Sequence, residues 1–199
     1  TNERYLKDTW TVEQSGGKWN FYNINALNYY LQTVVPRLEN KELIGAEADL
    51  KQYVGEGYFL RALEYFYRLR RLGDFPIIKT TLTDNQAVLT EASKRQPRNE
   101  VARFILSDLD EAIRLMNNNV AKTRISKNAA LLLKSRVALF EATWEKYHAG
   151  TALVPNGQGW PGKQKDYNAS YQFPSGSAEA EIDFFLTEAM DAAAQVADA

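Results

Sequence analysis

Residues 157–163, GQGWPGK, satisfy the first seven positions of the phosphate-cradling loop G-x-x-x-x-G-K. The eighth position holds Gln164 in place of the Ser or Thr whose hydroxyl would bind magnesium, and Pro161 removes one backbone donor. Neither a buried strand before the stretch nor a helix start after it is apparent, so no nucleotide site is expected. Asp166, Asn168 and Ser170 alternate like the opening of a calcium loop, but Tyr171 occupies the obligatory glycine position and no Glu closes the loop. An irregular surface cation site stays open there; an EF-hand does not. His148 is the single histidine, with no second His for a metal and no Ser or Cys at a recognisable elbow. It reads as a polar residue at a helix end, beside the last carbonyls. The acids Glu64, Asp108, Asp110, Glu111 and Glu141 all have Lys or Arg close by in sequence. They read as solvated ion pairs, with no pair singled out as an acid and base. No enzyme, cofactor or metal is expected.

Aromatic residues outside the apolar rows remain: Trp10, Trp19, Tyr22, Trp160, Tyr167 and Tyr171. A sugar ring offers an apolar face of axial hydrogens and a rim of hydroxyls. Its sites therefore combine an exposed Trp or Tyr with Asn, Gln, Asp or Arg at the edge. Residues 10–28, WTVEQSGGKWNFYNINALN, have that vocabulary. The candidate ligand-binding residues are Trp10, Trp19, Tyr22 and Asn28; the alternative is that Trp19 and Tyr22 simply cover the helix that follows.

The elements that must position these groups are helical. Phe21, Ile24, Asn28, Leu31, Val35 and Leu38 are spaced 3, 4, 3, 4, 3, one helix face, with Asn28 among the apolar residues and Pro36 expected to end or kink the helix. A second helix is expected from about residue 46 to Leu72, stopped by Gly73 with Pro76 beyond. Tyr58, Ala62, Tyr65, Leu69 and Leu72 form one apolar row and Phe59, Leu63 and Phe66 the next. Opposite, Arg61, Glu64, Arg68 and Arg71 read as a solvated stripe. Residues 77–89 show little periodicity and read as a connection. Pro97 opens a third helix lined by Val101, Phe104, Ile105, Asp108, Leu109, Ala112, Ile113 and Met116, and Ser126 caps a fourth through Tyr147. A long loop, residues 148–176, precedes a last helix opening near Ser177. The recurrence of LDEAI (109–113) as LTEAM (186–190), with alanines where helices approach, is a feature of tetratricopeptide-like helix pairs. The fold class expected is all-α.

At 199 residues the chain is long enough for one substantial domain, and a net charge of −1 gives no reason to expect nucleic acid as a partner. The absence of Cys removes disulfides and thiolate chemistry. No apolar run approaches the ~20 residues that span a bilayer.

Residues 56–78, EGYFLRALEYFYRLRRLGDFPII, resemble a segment of the SusD/RagB family: Glu56, the run Phe59-Leu60-Arg61-Ala62, the pair Tyr65-Phe66 and the exit Gly73-Asp74-Phe75-Pro76. PRNEVARFILSDLDEAIRLM (97–116) and RISKNAALLLKSRVALFEATWEKYH (124–148) resemble the helices that follow in that family, and WNFYNINALNYYL (19–31) the helix before, giving Asn28 a counterpart. The resemblance implies an all-α superhelix of tetratricopeptide-like pairs with long irregular loops. It also implies a surface-exposed lipoprotein of the outer membrane that binds a glycan or oligosaccharide without catalysis and delivers it to a SusC-like TonB-dependent transporter. Residues 1–199 are then expected to be one helical domain, truncated at both ends relative to the full protein, with the lipidated Cys absent. The alternatives are a peptide-binding, RagB-like subunit and a helical scaffold that contacts the transporter without binding ligand.

Overall fold

The computed structural model describes residues 19–198. Six α-helices carry this part of the chain: α1 (Tyr22–Glu39), α2 (Glu47–Leu72), α3 (Gln86–Ala92), α4 (Arg98–Leu115), α5 (Lys127–Tyr147) and α6 (Ala178–Ala197). The five long helices pack in chain order, α1 on α2, α2 on α4, α4 on α5 and α5 on α6. The all-α class follows directly from the 3.6-residue periodicity.

Local chemistry sets the ends. Ser126 and Ser177 accept the backbone N–H of Ala129 and Ala180 at the starts of α5 and α6. Gly73, at φ +67°, closes α2 with its N–H on the Leu69 carbonyl, 3.0 Å away, a conformation costly for any side chain with a Cβ. Two expectations need correction. Pro36 does not end α1, which runs on to Glu39. In the last turns proline forfeits a single backbone bond, and its carbonyl still accepts from Asn40 N–H at 2.9 Å. Within 77–89 the chain begins α3. Asn85 Oδ1 caps it by accepting from Ala87 and Val88 N–H, a local signal that periodicity misses because α3 buries none of its residues.

Most of the apolar rows meet in one core, with Tyr65, Leu69, Phe75, Val101, Ile105, Leu109, Val137 and Phe185 enclosed, and a second, smaller cluster of Leu31, Val54 and Leu115 joins α1, α2 and the end of α4. Close approach of α1 to α2 depends on Gly57, where an added Cβ would stand 2.6 Å from the Tyr30 ring.

Through this core run three bidentate ion pairs, all anchored on α4. Arg98 grips Glu141 of α5 (2.8 and 2.8 Å), Arg103 grips Glu181 of α6 (2.7 and 2.8 Å), and Asp108 receives Arg61 of α2 (2.7 and 2.7 Å). Positions 98, 103 and 108 are five residues apart, so each step turns about 140° around the helix axis and the three side chains fan toward three neighbours. The stripe read as solvated is therefore partly interior: Arg61 and Arg68 are buried, Arg68 pairing with Glu64, and Asp108 and Glu141 are buried too. α2 is packed by α1 and α4, and arginine stems lie along apolar surface while the guanidinium finds a carboxylate.

Candidate functional site

Beyond Gly73 the chain turns back along the bundle. Phe75 forms an antiparallel bridge with Gln96 (3.2 and 3.1 Å), which brings 73–76 beside 93–98. The segment between α5 and α6 then folds over both. The buried Trp160 donates Nε1–H to Asp74 Oδ2 at 2.8 Å, and the buried Asn168 donates to the Arg95 carbonyl at 3.2 Å. Between these pins lies a cavity of about 690 Å³. Its apolar wall comes from Trp144, Leu153 and Trp160; its polar wall from Arg71, Arg95, Lys165 and Tyr167. Volume and lining are in the range of small-molecule sites.

The electrostatics are one-sided. Five cations and one carboxylate, Asp74, line the cavity. Asp74 is already used: it accepts from Trp160 and from Arg98 N–H (2.9 Å), while burial holds its pKa above the usual value against those bonds. Arg98 is neutralised by Glu141 and lies 4.2 Å over the Trp144 ring. Arg95 lies 4.5 Å over the ring of Trp19, which connects the cavity to the start of α1.

The residues expected to bind ligand are dispersed. Trp10 lies outside the described residues. Trp19 is 43% exposed, set edge-on to Phe75 at 4.9 Å, with the Arg95 guanidinium over its ring. Tyr22, in the first turn of α1, is 83% exposed. Asn28 is fully enclosed. Its Oδ1 accepts from Arg61 Nη1 (2.9 Å) and its amide donates to the carbonyls of Ile78 (2.8 Å) and Thr80 (3.3 Å), so it ties α1 to the Arg61–Asp108 pair and to the segment after α2. Of the other aromatics, Trp160 is interior and Tyr171 exchanges hydrogen bonds with Asn99. GQGWPGK ends in a 3₁₀ turn (Pro161–Gln164), and Lys163 donates to the Ala169 carbonyl. Asn168, the middle of the calcium-like triplet, is turned inward, and no cluster of three His, Cys, Asp or Glu suited to a metal occurs among the described residues. His148 closes α5, its Nδ1 2.9 Å from the Trp144 carbonyl.

Two features escaped the sequence reading. Arg95 and Lys165 reach one cavity only through tertiary folding, and nothing local marks them. Glu145 is buried with both carboxylate oxygens unpartnered; burial first, then the charges of Glu141 and Glu181, pushes its pKa up to about 9. The i,i+4 repeat of like charge at 141 and 145 was the available signal. Glu181 shows the opposite outcome: burial works to raise its pKa, but hydrogen bonds from Arg103, Asn99 and Ser175 prevail and hold it below the usual range.

Known proteins place the chain. The model of a SusD-like family, described as "Starch-binding associating with outer membrane", matches residues 3–139. A SusD-like protein of Formosa agariphila is 34% identical over 104 residues, 52% of this chain and 20% of the relative, so the chain spans about one fifth of that protein's length. The crystal structure of a SusD homolog from Bacteroides thetaiotaomicron aligns with a TM-score of 0.61 at 19% identity, covering 90% of this chain and 28% of its own, a likeness of fold. With the family model matched over more than half of its residues, this chain belongs to the SusD-like family.

Proposed function

We propose that this chain is the helical part of a surface nutrient-binding lipoprotein of the outer membrane, one that binds a glycan and passes it to a SusC-like TonB-dependent transporter without catalysis. Membership of a family described as starch-binding and outer-membrane-associated supports the reading. The observation within the chain that supports it is two exposed aromatics around the start of α1, Tyr22 and Trp19, the latter joined through Arg95 to a cavity with an aromatic wall. An indole or phenol ring in water, rimmed by polar groups, suits the apolar face of a sugar. Trp10 belongs to the same proposal; Asn28, enclosed, serves it by holding the helix that presents Tyr22.

Affinity electrophoresis of the intact protein in gels containing neutral glycans tests this. Loss of retardation in Trp10→Ala, Trp19→Ala or Tyr22→Ala supports it, and Tyr22→Ala is the cleanest probe because so exposed a side chain contributes little to the fold. Unchanged retardation in the triple variant would remove these residues from the site.

A second reading, a scaffold that grips the transporter or a peptide without a sugar site in this chain, is favoured by α5. Leu132 and Leu139, 56% and 50% exposed, line one open face of that helix. Exposed leucines seven residues apart make an apolar stripe suited to a partner surface.

A further inference from the structure

The cavity beyond α2 draws cations from several elements into one place. Five arginines elsewhere meet carboxylates, Arg61 with Asp108, Arg68 with Glu64, Arg103 with Glu181, Arg114 with Glu111 and Arg124 with Glu56, while Arg37 and Arg136, unpaired among the described residues, stand on separate helices, α1 and α5. Arg71, Arg95 and Lys165 line the cavity with no carboxylate within ion-pair distance among the described residues, Asp74 acting on Arg95 only at longer range, although the chain as a whole carries a net charge of −1. The one acid in the wall, Asp74, is held by the Trp160 indole and Arg98 N–H. Arg71 also opposes the negative end of the α2 dipole. That end is worth about half a charge, and Arg70 stands in the same last turn, so the cationic excess persists.

The arrangement suits an anion on a larger, partly apolar molecule. The Arg95 guanidinium lies over the Trp19 ring at 4.5 Å, a cation–π contact that holds it at the cavity, and a guanidinium can take a carboxylate or sulfate in two hydrogen bonds. Lys165, from the loop over the cavity, and Arg71, from the end of α2, bring charge from two further elements, so the excess does not belong to one helix. Tyr167, 40% exposed, supplies ring surface beside the charges, over a wall of the interior Trp160 and of Trp144, which Arg98 and His148 cover.

We propose that this cavity is an oxyanion subsite that recognises the carboxylate or sulfate of an acidic glycan, with Arg71, Arg95 and Lys165 as its donors. The inference rests on the glycan-binding reading and narrows its substrate class.

The test is affinity electrophoresis of the intact protein, at 50 and 300 mM NaCl, against polygalacturonate, a sulfated galactan and a neutral glucan. The expected result is retardation by an acidic polymer at least ten-fold stronger than by the glucan, weakened by the higher salt and lost in Arg71→Glu/Lys165→Glu, with circular dichroism and melting temperature unchanged. The carboxylated and sulfated polymers separate the two anion sources. Arg71→Gln/Lys165→Gln serves should the reversed charges disturb folding, with the same loss expected. Equal retardation by neutral and acidic polymers, or full retention of acidic binding in both double variants, overturns the subsite and leaves glycan binding standing. Absence of retardation by any polymer overturns both.

Discussion

The α4 fan and the cavity beyond α2 use the same residue types toward opposite ends. In the fan every arginine meets a carboxylate in two short hydrogen bonds, Arg61 and Arg98 buried and Arg103 half-buried. In the cavity the cations stand at the surface with the local acid already committed to other donors. Charge satisfied internally holds helices in place; charge left unsatisfied is available to something else. Net charge, −1 for the whole chain, conceals both.

The comparison breaks most easily at Asp108. Asp108→Ala leaves Arg61 buried without its partner, and a loss of about 3–5 kcal/mol in urea unfolding is expected. A loss below ~1 kcal/mol would show that the fan is decoration on an apolar core.

Glu145 sharpens the rule, as the interior carboxylate that no cation reaches within hydrogen-bond distance. Its pKa of about 9 in the folded protein lies above the 4.5 of a glutamate in an unfolded chain. Below pH 4.5 both states hold the proton and nothing is lost; as pH rises toward 9 the native protein keeps a proton that the unfolded chain releases, and stability falls. At about 1.4 kcal/mol per pH unit over the span from 4.5 to 7, Glu145→Gln should be more stable than the parent by roughly 3 kcal/mol at pH 7, with the difference vanishing at pH 4. Urea midpoints across pH 4–9 read this directly.

Smaller effects separate Trp19 from the cavity cations. Trp19→Ala removes edge-to-face contact with Phe75 and the support under Arg95, and should cost about 1–2 kcal/mol. Lys165→Ala and Tyr22→Ala should lie within about 0.5 kcal/mol of the parent, since each side chain is exposed. A cost above 1 kcal/mol at Lys165 would mean that it is a structural cation like those of the fan.

The helices were legible because their signals are local. Spacings of three and four placed Ile24, Leu31, Ala62, Tyr65, Leu69 and Val137 on inward faces, and Ser126, Ser177 and Gly73 marked ends by side-chain or backbone chemistry that acts within four residues. The polar interior was not legible in the same way. An arginine at helical spacing looks identical in sequence whether water or Asp108 lies beyond it, and only tertiary packing decides. The same limit hid the cavity, whose lining is drawn from the ends of α2 and α5, the Gln96 bridge and the long loop. Asn28 shows the intermediate case: its place on an apolar face was plain, but its hydrogen-bond partners lie 33 to 52 residues away.

The five-residue steps along α4 bear on how the bundle finds its register. A helix faced with alanine and leucine can slide or rotate by one residue and still bury apolar surface, since neighbouring methyls are interchangeable at modest cost. α4 cannot: a turn of about 100° carries Arg98, Arg103 and Asp108 away from Glu141, Glu181 and Arg61 together. Misaligned docking therefore strands three charges at once, and the bundle has a single rotational setting for its central helix.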